Sequence, residues 1–258
     1  MKLEGATALV TGGAQRIGSV IAYALAKAGV RVVVHYNGSQ QAAQLTCDGI
    51  RQQGGVAEAV QGDLSHPEQV MALVDRSRSL LGPLSILVNN AAIFEPGSIR
   101  DTSLANWQRH HQINATAPFL LLQAFARQPE LMNGALDTAG EARSGLNLPL
   151  GKVINIIDRR VRRPGAGYIA YTTAKSALWS LTQLAAKELA PHIQVNAIGP
   201  GPILPPPGEG MAHLERVAQA TPARRPGSPE EIASALIFLL EHDFITGEML
   251  AVDGGEHL

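Results

Sequence analysis

The stretch that decides the fold is Thr7-Ala-Leu-Val-Thr-Gly-Gly-Ala-Gln-Arg-Ile-Gly18. Residues 7–10 form a short apolar run typical of a buried strand. From Ile17 to Ala28 apolar residues recur at helical spacing, up to Gly29, which favours a helix end. A turn of small residues thus joins a strand to a helix. Small residues let the backbone approach a pyrophosphate, and a helix N-terminus supplies amide donors, so the junction predicts a dinucleotide-binding unit.

The alternation of strand and helix continues along most of the chain. The predicted strands are 7–10, 30–34, 56–60, 84–88, 152–157, 194–198 and 248–252, and the predicted helices are 17–28, 39–53, 67–81, 104–127 and one that carries Tyr171. Repeated βαβ units imply a doubly wound parallel sheet with helices on both faces. We therefore predict a single α/β, Rossmann-like domain over residues 1–258, with cofactor binding in about 1–125 and catalysis and substrate binding in about 126–258.

Composition narrows the class of protein. The chain has 258 residues, 45% hydrophobic and 17% charged, with a formal net charge of −1. This balance predicts an ordinary globular protein with no basic surface for nucleic acid or membrane. Cys47 is the only cysteine, as expected in a reducing compartment. Because we find neither a signal-peptide pattern nor an apolar run of roughly 18 residues, we expect a cytoplasmic location. No residues have metal-ligand spacing.

The chemistry is expected in residues 158–175. Tyr171 and Lys175 are four residues apart, which puts them on one face of a helix. An ammonium near a phenol is expected to lower its pKa from about 10, which would make Tyr171 a tunable proton donor. Asp158 follows a predicted strand, at the sheet edge where α/β proteins bind ligands. Tyr-xxx-Lys alone is common on solvated helix faces, so the prediction depends on its agreement with Asp158 and the nucleotide turn.

The end of the second strand indicates which cofactor is used. A carboxylate that would hold a ribose 2′-hydroxyl is expected there, but the chain has His35-Tyr36-Asn37. Its absence removes repulsion of a 2′-phosphate, which Arg16 would pair with and to which His35 and Ser39 would donate hydrogen bonds. We therefore predict NADPH rather than NADH. A packing histidine at the strand end is an equally good interpretation of His35.

Together these residues resemble the short-chain dehydrogenase/reductase family over essentially the whole chain. The matching motifs are Thr11-Gly12…Gly18, Asp63, Asn89-Asn90-Ala91, Asn114, Tyr171-xxx-Lys175 and Pro200-Gly201. The resemblance implies a homotetramer. It also implies a catalytic tetrad that includes Asn114, Tyr171 and Lys175, with Tyr171 as the proton donor.

The cofactor contacts follow from the same motifs and the residues beside them. We predict Thr11, Gly12, Arg16, Ile17, Gly18, His35, Tyr36, Ser39, Asp63, Leu64, Asn90, Ala91, Tyr171, Lys175, Pro200 and Gly201. By resemblance, Lys175 would hold the nicotinamide ribose and Pro200-Gly201 would face the nicotinamide. Asp63 would accept from the adenine amine, with capping of the next helix as the alternative.

Two departures from the family pattern point to one of its branches. The family usually has Gly at the position of Arg16 and Ser at the position of Asp158, and both changes look like the pteridine reductase branch. His35-Tyr36 and Phe94 look like that branch too. There the pterin stacks between the nicotinamide and an aromatic ring, here Phe94, while Asp158 and Tyr171 contact the pterin edge. The branch has a serine where this chain has Ala92.

The leading hypothesis is therefore an NADPH-dependent reductase of pteridines such as biopterin and dihydrobiopterin, with dihydrofolate as a further candidate substrate. A carboxyl can relay a proton to a ring nitrogen, and it matches the donor-rich amino-pyrimidine edge of a pterin. The first alternative is a short-chain ketone reductase acting on 3-oxoacyl or other carbonyl substrates. The second is an inactive NADP-binding interaction protein, against which the intact Asn114, Tyr171 and Lys175 argue.

Two segments break the strand–helix rhythm, and one is unusually cationic. Residues 129–149 are predicted to be a surface insertion. Residues 201–225, rich in proline and glycine, are predicted to cover the substrate as a lid or to be a rigid connector. The four arginines between 159 and 163 are interpreted as a solvated loop, with attraction of an anionic substrate tail or an oligomer partner as the alternative.

Overall fold

A computed structural model describes residues 1–132, 149–206 and 208–258. It contains one sheet of seven parallel strands in the order β3-β2-β1-β4-β5-β6-β7. The strands are β1 (Thr7–Val10), β2 (Arg31–Tyr36), β3 (Ala57–Gln61), β4 (Ile86–Asn89), β5 (Gly151–Ile156), β6 (Ile193–Pro200) and β7 (Met249–Val252). Every predicted strand is present with its ends displaced by one or two residues at most, so the predicted doubly wound fold is confirmed.

The helices depart from the prediction in several places. They are α1 (Arg16–Lys27), α2 (Gln40–Gln52), α3 (Pro67–Leu81), α4 (Leu104–His111), α5 (Ala117–Ala126), α6 (Pro129–Met132), α7 (Ile169–Leu189), α8 (Met211–Gln219) and α9 (Pro229–Glu241). The single helix predicted over 104–127 is wrong, because a π-helical turn at Gln112–Thr116 separates α4 from α5. The segment 201–225 is not all loop, since it contains α8, and α9 was not predicted. Residues 133–148 of the predicted insertion lie outside the described residues.

The sheet is covered on both faces, which explains why its strands are continuous apolar runs. Leu9 packs with residues of α3 and α5 on one face, whereas Val10 packs with residues of α1 and α9 on the other. Neighbouring residues of one strand therefore serve opposite cores. Within the described part of the chain, none of the helices combines the length and apolar character needed to cross a lipid bilayer.

Strand order places the functional residues. β1 pairs with both β2 and β4, so the order reverses at this point and opens a crevice at the carboxyl ends of β1 and β4. The segments that follow β1, β4, β5 and β6 all leave the sheet at this edge. They carry Thr11, Asn90, Asp158 and Gly201, which the sequence had assigned to a site.

Candidate active site

The turn between β1 and α1 is locked to the end of β4. Thr11 Oγ1 accepts hydrogen bonds from the backbone amides of Asn90 and Ala91 at 3.0 and 3.1 Å, and Asn90 Nδ2 donates to Thr11 O at 2.9 Å. A Cβ atom at position 18 would lie 2.1 Å from Gly12 O, so Gly18 has no room for a side chain. Gly12 itself has φ of +61°. The result is a rigid backbone cradle at the N-terminus of α1, which fits a pyrophosphate.

His35 supports this cradle from below. Its Nδ1 accepts from Gly12 N at 3.1 Å, and its Nε2 lies 3.0 Å from Gly62 O. The side chain is 2% exposed, and burial lowers its pKa to about 4, so the ring is neutral near pH 7. Both ring nitrogens are therefore engaged. The predicted donation from His35 to a 2′-phosphate is corrected, and the packing alternative describes this residue.

Arg16 is strained and reaches across the cleft. Its φ of 54° lies in the left-handed region, which costs a non-glycine residue roughly 1–2 kcal/mol. Its Nη2 donates to Pro205 O at 2.8 Å, in the loop that follows β6. In this state the guanidinium bridges the nucleotide turn and the proline-rich loop, and its pairing with a 2′-phosphate stays a prediction.

The other predicted adenosine contacts lie along the carboxyl edges of β2 and β3. Tyr36 ends β2, and Ser39 precedes α2 without using its hydroxyl to cap that helix. Asp63 Oδ1 accepts from Ser65 N at 2.8 Å, and this hydrogen bond is the main cause that lowers the carboxyl pKa. Asp63 therefore shapes the turn that leads into α3 but does not cap that helix, whose N-cap residue is His66. Its contact with the adenine amine stays a prediction. Leu64 is buried beside it.

Asp158 and Tyr171 form the central pair of the site. The Tyr171 hydroxyl donates to Asp158 Oδ2 at 2.9 Å, and Asp158 Oδ1 accepts from Arg160 N at 2.8 Å. Asp158 leaves the end of β5, while Tyr171 lies in the first turn of α7, so two elements bring them together. The sequence predicted this juxtaposition from the strand and helix that carry the two residues.

The acidity of Tyr171 is opposite to the prediction. Burial raises the pKa of its phenol well above the usual 10, and the charge and hydrogen bond of Asp158 raise it further. Lys175 does not offset this, since its Nζ lies 6.0 Å from the centre of the Tyr171 ring. Because a carboxylate that accepts from the phenol stabilises the neutral form, Tyr171 stays protonated and is poised to donate.

Lys175 is buried below the pair. Its Nζ donates to Ile156 O at 2.7 Å, and the side chain is 2% exposed. Burial lowers its pKa to about 8, an effect that Asp158 partly opposes. The ammonium is therefore present below about pH 8 and is lost as the pH rises through that value.

This titration gives a pH prediction. If the Lys175 ammonium holds the nicotinamide ribose, affinity for NADPH should fall as the pH rises through about 8. The Lys175→Arg variant keeps its positive charge at higher pH, so its affinity for NADPH should stay constant through pH 8. Fluorescence titration of NADPH across this pH range tests the assignment. Equal affinity of the wild-type protein on both sides of pH 8 would contradict it.

Asn114 holds the loop after β4. It lies in the π-helical turn and is fully buried. Its Nδ2 donates to Ile93 O and its Oδ1 accepts from Ile93 N, both at 2.9 Å. This turn packs against α7, so Asn114 links the helix that carries Tyr171 to the loop that carries Phe94. Single π-helical turns often lie at functional sites for such reasons.

Phe94 forms an aromatic wall with a residue whose role the sequence analysis did not recognise. The rings of Phe94 and Tyr168 stack with centroids 4.4 Å apart and an angle of 10°, and Tyr171 meets Phe94 edge-on at 4.7 Å. The backbone explains the stack: Gly97 N donates to Gly167 O at 2.7 Å, which joins the two loops. Tyr168 covers one face of Phe94. Tyr168 lies three residues before Tyr171 in the sequence, and this closeness to the candidate proton donor could have predicted a place in the site.

The arginine cluster is only partly solvated. Arg159 pairs with Glu256 at 2.5 Å, Arg162 Nη2 donates to Met249 O at 3.0 Å, and Arg163 donates to Leu258 O. Arg159 and Arg163 therefore hold the C-terminal segment, and Arg162 contacts β7. Arg162 and Arg163 are exposed, so the prediction of a solvated loop holds for these two and is wrong for the partly buried Arg159 and Arg160. Arg160 instead faces the aromatic wall.

The predicted nicotinamide-facing residues close the site at β6. Gly201 N donates to Val252 O at 3.1 Å, and a Cβ atom at this position would lie 2.6 Å from Asp253 Cα. Glycine is therefore needed here, because the chain after Pro200 passes too close to Asp253 for any side chain. In the described ranges, no group of three or more histidine, cysteine, aspartate or glutamate side chains could hold a metal ion.

Comparison with known proteins identifies the family. A family model described as enoyl-(acyl carrier protein) reductase matches residues 12–257. A short-chain type dehydrogenase/reductase of Picea abies is 31% identical, over 98% of this chain and 93% of the relative. A 3-oxoacyl-[acyl-carrier-protein] reductase of a Synechocystis species is 33% identical, over 98% and 97%.

A solved structure shares the fold in detail. The crystal structure of FolM alternative dihydrofolate reductase 1 from Brucella canis, complexed with NADP, has a TM-score of 0.87 and 35% identity, over 99% of this chain and 95% of that one. The chain belongs to the short-chain dehydrogenase/reductase family, a family of oxidoreductases.

Proposed function

We propose that this chain is an NADPH-dependent reductase of pteridines, with dihydrofolate as a further substrate. The observation that carries the proposal is the 2.9 Å hydrogen bond from Tyr171 to Asp158. A carboxylate at this position can accept from the amino and ring N–H groups of a pterin edge. It also keeps the Tyr171 phenol protonated, as a proton donor to a ring nitrogen must be.

NADPH fits the residues present. The glycine turn has no side chains at Gly12 and Gly18 to obstruct a pyrophosphate, and the end of β2 carries no carboxylate to repel a 2′-phosphate. The NADP complex of the Brucella protein supports the same cofactor. When bound, the nicotinamide supplies the hydride. The residues proposed to hold the cofactor are Thr11, Gly12, Arg16, Ile17, Gly18, Tyr36, Ser39, Asp63, Leu64, Asn90, Ala91, Tyr171, Lys175, Pro200 and Gly201.

Arg16 is proposed to give the preference for NADPH over NADH. A charge-assisted hydrogen bond contributes about 1.5–3 kcal/mol, so Arg16→Ala should narrow the preference by about tenfold or more. Arg16→Lys keeps the positive charge and should retain part of the preference for NADPH. The measurement is kcat/KM with each cofactor for the three proteins. An unchanged ratio in Arg16→Ala would show that Arg16 serves the bridge to Pro205 alone.

The proton path uses residues of this chain. Tyr171 would donate its proton to a ring nitrogen, while Asp158 holds the phenol in place and binds the heterocycle edge. Lys175 would orient the ribose from below. Phe94 would stack on the pterin through the face that Tyr168 leaves open. Asn114 would act indirectly, because both of its polar atoms bind Ile93.

A carbonyl reductase is the second candidate function. It is favoured by the Synechocystis 3-oxoacyl-[acyl-carrier-protein] reductase, which is nearly as similar to this chain as the Brucella FolM protein. Under this alternative, Asp158 would be tolerated in place of a serine without taking part in the reaction. The family resemblance also implies a homotetramer, which stays a prediction.

Steady-state assays separate these functions. We expect dihydrobiopterin or dihydrofolate to drive oxidation of NADPH, and an acetoacetyl thioester to drive little. The opposite pattern would replace the pteridine proposal with the carbonyl reductase. Binding of NADPH without oxidation by any of these substrates would favour an inactive nucleotide-binding protein.

A further inference from the structure

One arginine of the cluster after β5 differs from its neighbours. Arg159, Arg162 and Arg163 bind the C-terminal segment and β7. Arg160 donates instead to the catalytic carboxylate, through its backbone N to Asp158 Oδ1 at 2.8 Å and through Nη1 to Oδ2 at 3.3 Å. Its guanidinium is therefore part of the candidate active site.

The same guanidinium lies along the aromatic wall. Its central carbon is 5.2 Å from the ring centre of Phe94 and 5.1 Å from that of Tyr168, and the two ring centres are 4.4 Å apart. These three distances form a nearly equilateral triangle. Arg160 therefore lies beside the stacked pair, equally close to both rings.

Most hydrogen-bonding capacity of Arg160 is unused. A guanidinium has five N–H donors. Among the described residues, its side chain makes a single hydrogen bond, the long one to Asp158 Oδ2. The side chain is only 23% exposed. The remaining N–H groups reach solvent, so they can donate to an oxygen or nitrogen acceptor of a substrate that displaces water from the site.

We propose that Arg160 is a specificity-determining residue, whose guanidinium recognises a carbonyl oxygen of the substrate next to the ring N–H that Asp158 binds together with the neighbouring amino group. This inference rests on the proposed pteridine reductase function. Carboxylate and guanidinium lie side by side, so they present an acceptor next to a donor. The matching ligand is a planar heterocycle with a donor next to an acceptor, as in 2-amino-4-oxopteridines.

The pairing predicts discrimination against 2,4-diaminopteridines. In these compounds an amino group replaces the 4-oxo group, so donors of the ligand would face donors of Arg160. A site built to pair with a polar group rejects an analogue that lacks it, because its own groups are then left unpaired.

Folic acid and aminopterin test the inference, because they differ at ring position 4: folic acid carries an oxo group there, and aminopterin carries an amino group. Their dissociation constants would be measured with the NADP⁺-bound enzyme. We expect Arg160→Met to raise the dissociation constant of folic acid at least tenfold, about 1.4 kcal/mol, and that of aminopterin less than about threefold. Arg160→Lys keeps the positive charge but not the planar set of N–H donors, so it should raise the dissociation constant of folic acid by an intermediate factor.

Matched controls separate recognition from structure. Arg162→Met makes the same change two residues further along and should leave both dissociation constants unaltered, while NADPH affinity and thermal unfolding report on folding. If Arg160→Met does not fold, the intermediate ratio of Arg160→Lys decides. If Arg160→Met weakened the binding of both ligands equally, or of neither, the role of Arg160 would be overturned while the proposed function would stand. Failure of the wild-type protein to bind either ligand would overturn the proposed function, and this inference with it.

Discussion

Replacing Asp158 by serine is expected to lower kcat/KM for dihydrobiopterin by about 100-fold or more. This factor is the lower end of what a group that takes part in proton transfer usually contributes. The variant loses the acceptor of the Tyr171 hydroxyl and the negative charge that binds the pterin edge. It also loses two of the causes that raise the pKa of Tyr171. Affinity for NADPH should change little, because the cradle at Gly12 and Gly18 does not involve Asp158.

The same variant should gain carbonyl reduction, since serine is the residue that the family usually carries there. Asp75→Ser, an identical change at a side chain that is 82% exposed on α3, is the control and should be silent. Undiminished pterin turnover in Asp158→Ser would remove Asp158 from the mechanism.

Replacing Tyr171 by phenylalanine is expected to lower kcat by about 1,000-fold, within the usual contribution of a general acid. Only the hydroxyl is lost, and the edge-on contact with Phe94 is retained. Binding of NADPH and of folic acid should persist, so the loss should appear in kcat. The pH dependence of residual turnover should also lose any limb that belongs to the phenol.

Tyr23→Phe is the matched control, because Tyr23 lies on α1 and packs against the core between the sheet, α1 and α9, away from Asp158. It should keep full activity. Turnover by Tyr171→Phe within about tenfold of wild type would mean that another group donates the proton.

The sequence was sufficient for the fold because its signals are local. Apolar runs fixed the strands, and the strand–turn–helix junction at Gly12 fixed the nucleotide edge. The π-helical turn at Gln112–Thr116 was not visible, because it contains neither a glycine nor a proline that would mark an interruption of the helix. α8 was obscured by the prolines and glycines that precede it, which favour loops in any local interpretation.

The sequence predicted that Asp158 and Tyr171 come together but not the electrostatics around them. Asp158 and Tyr171 were expected at one edge, and the structure brings them into hydrogen-bonding contact. The acidity of Tyr171 was predicted wrongly, because the helical spacing to Lys175 says nothing of which charge lies closer to the hydroxyl. His35 was misassigned as a phosphate donor for a similar reason: its two partners, Gly12 and Gly62, lie just after two other strands, β1 and β3.

Long-range contacts account for what was missed. Arg16 bonds Pro205, 189 residues away, and Tyr168 stacks on Phe94 from a different loop. Such pairs follow from the register of the sheet and from how the loops meet above it. A single sequence carries no direct record of them.

Isotope transfer tests the central claim most directly. The wild-type enzyme would be given NADPH deuterated at the transferable position of the nicotinamide, together with a mixture of dihydrobiopterin and an acetoacetyl thioester, and the products analysed by mass spectrometry. The account predicts one deuterium in the tetrahydropterin and almost none in the hydroxyacyl product. Deuterium in the hydroxyacyl product, with an unlabelled pterin, would contradict it.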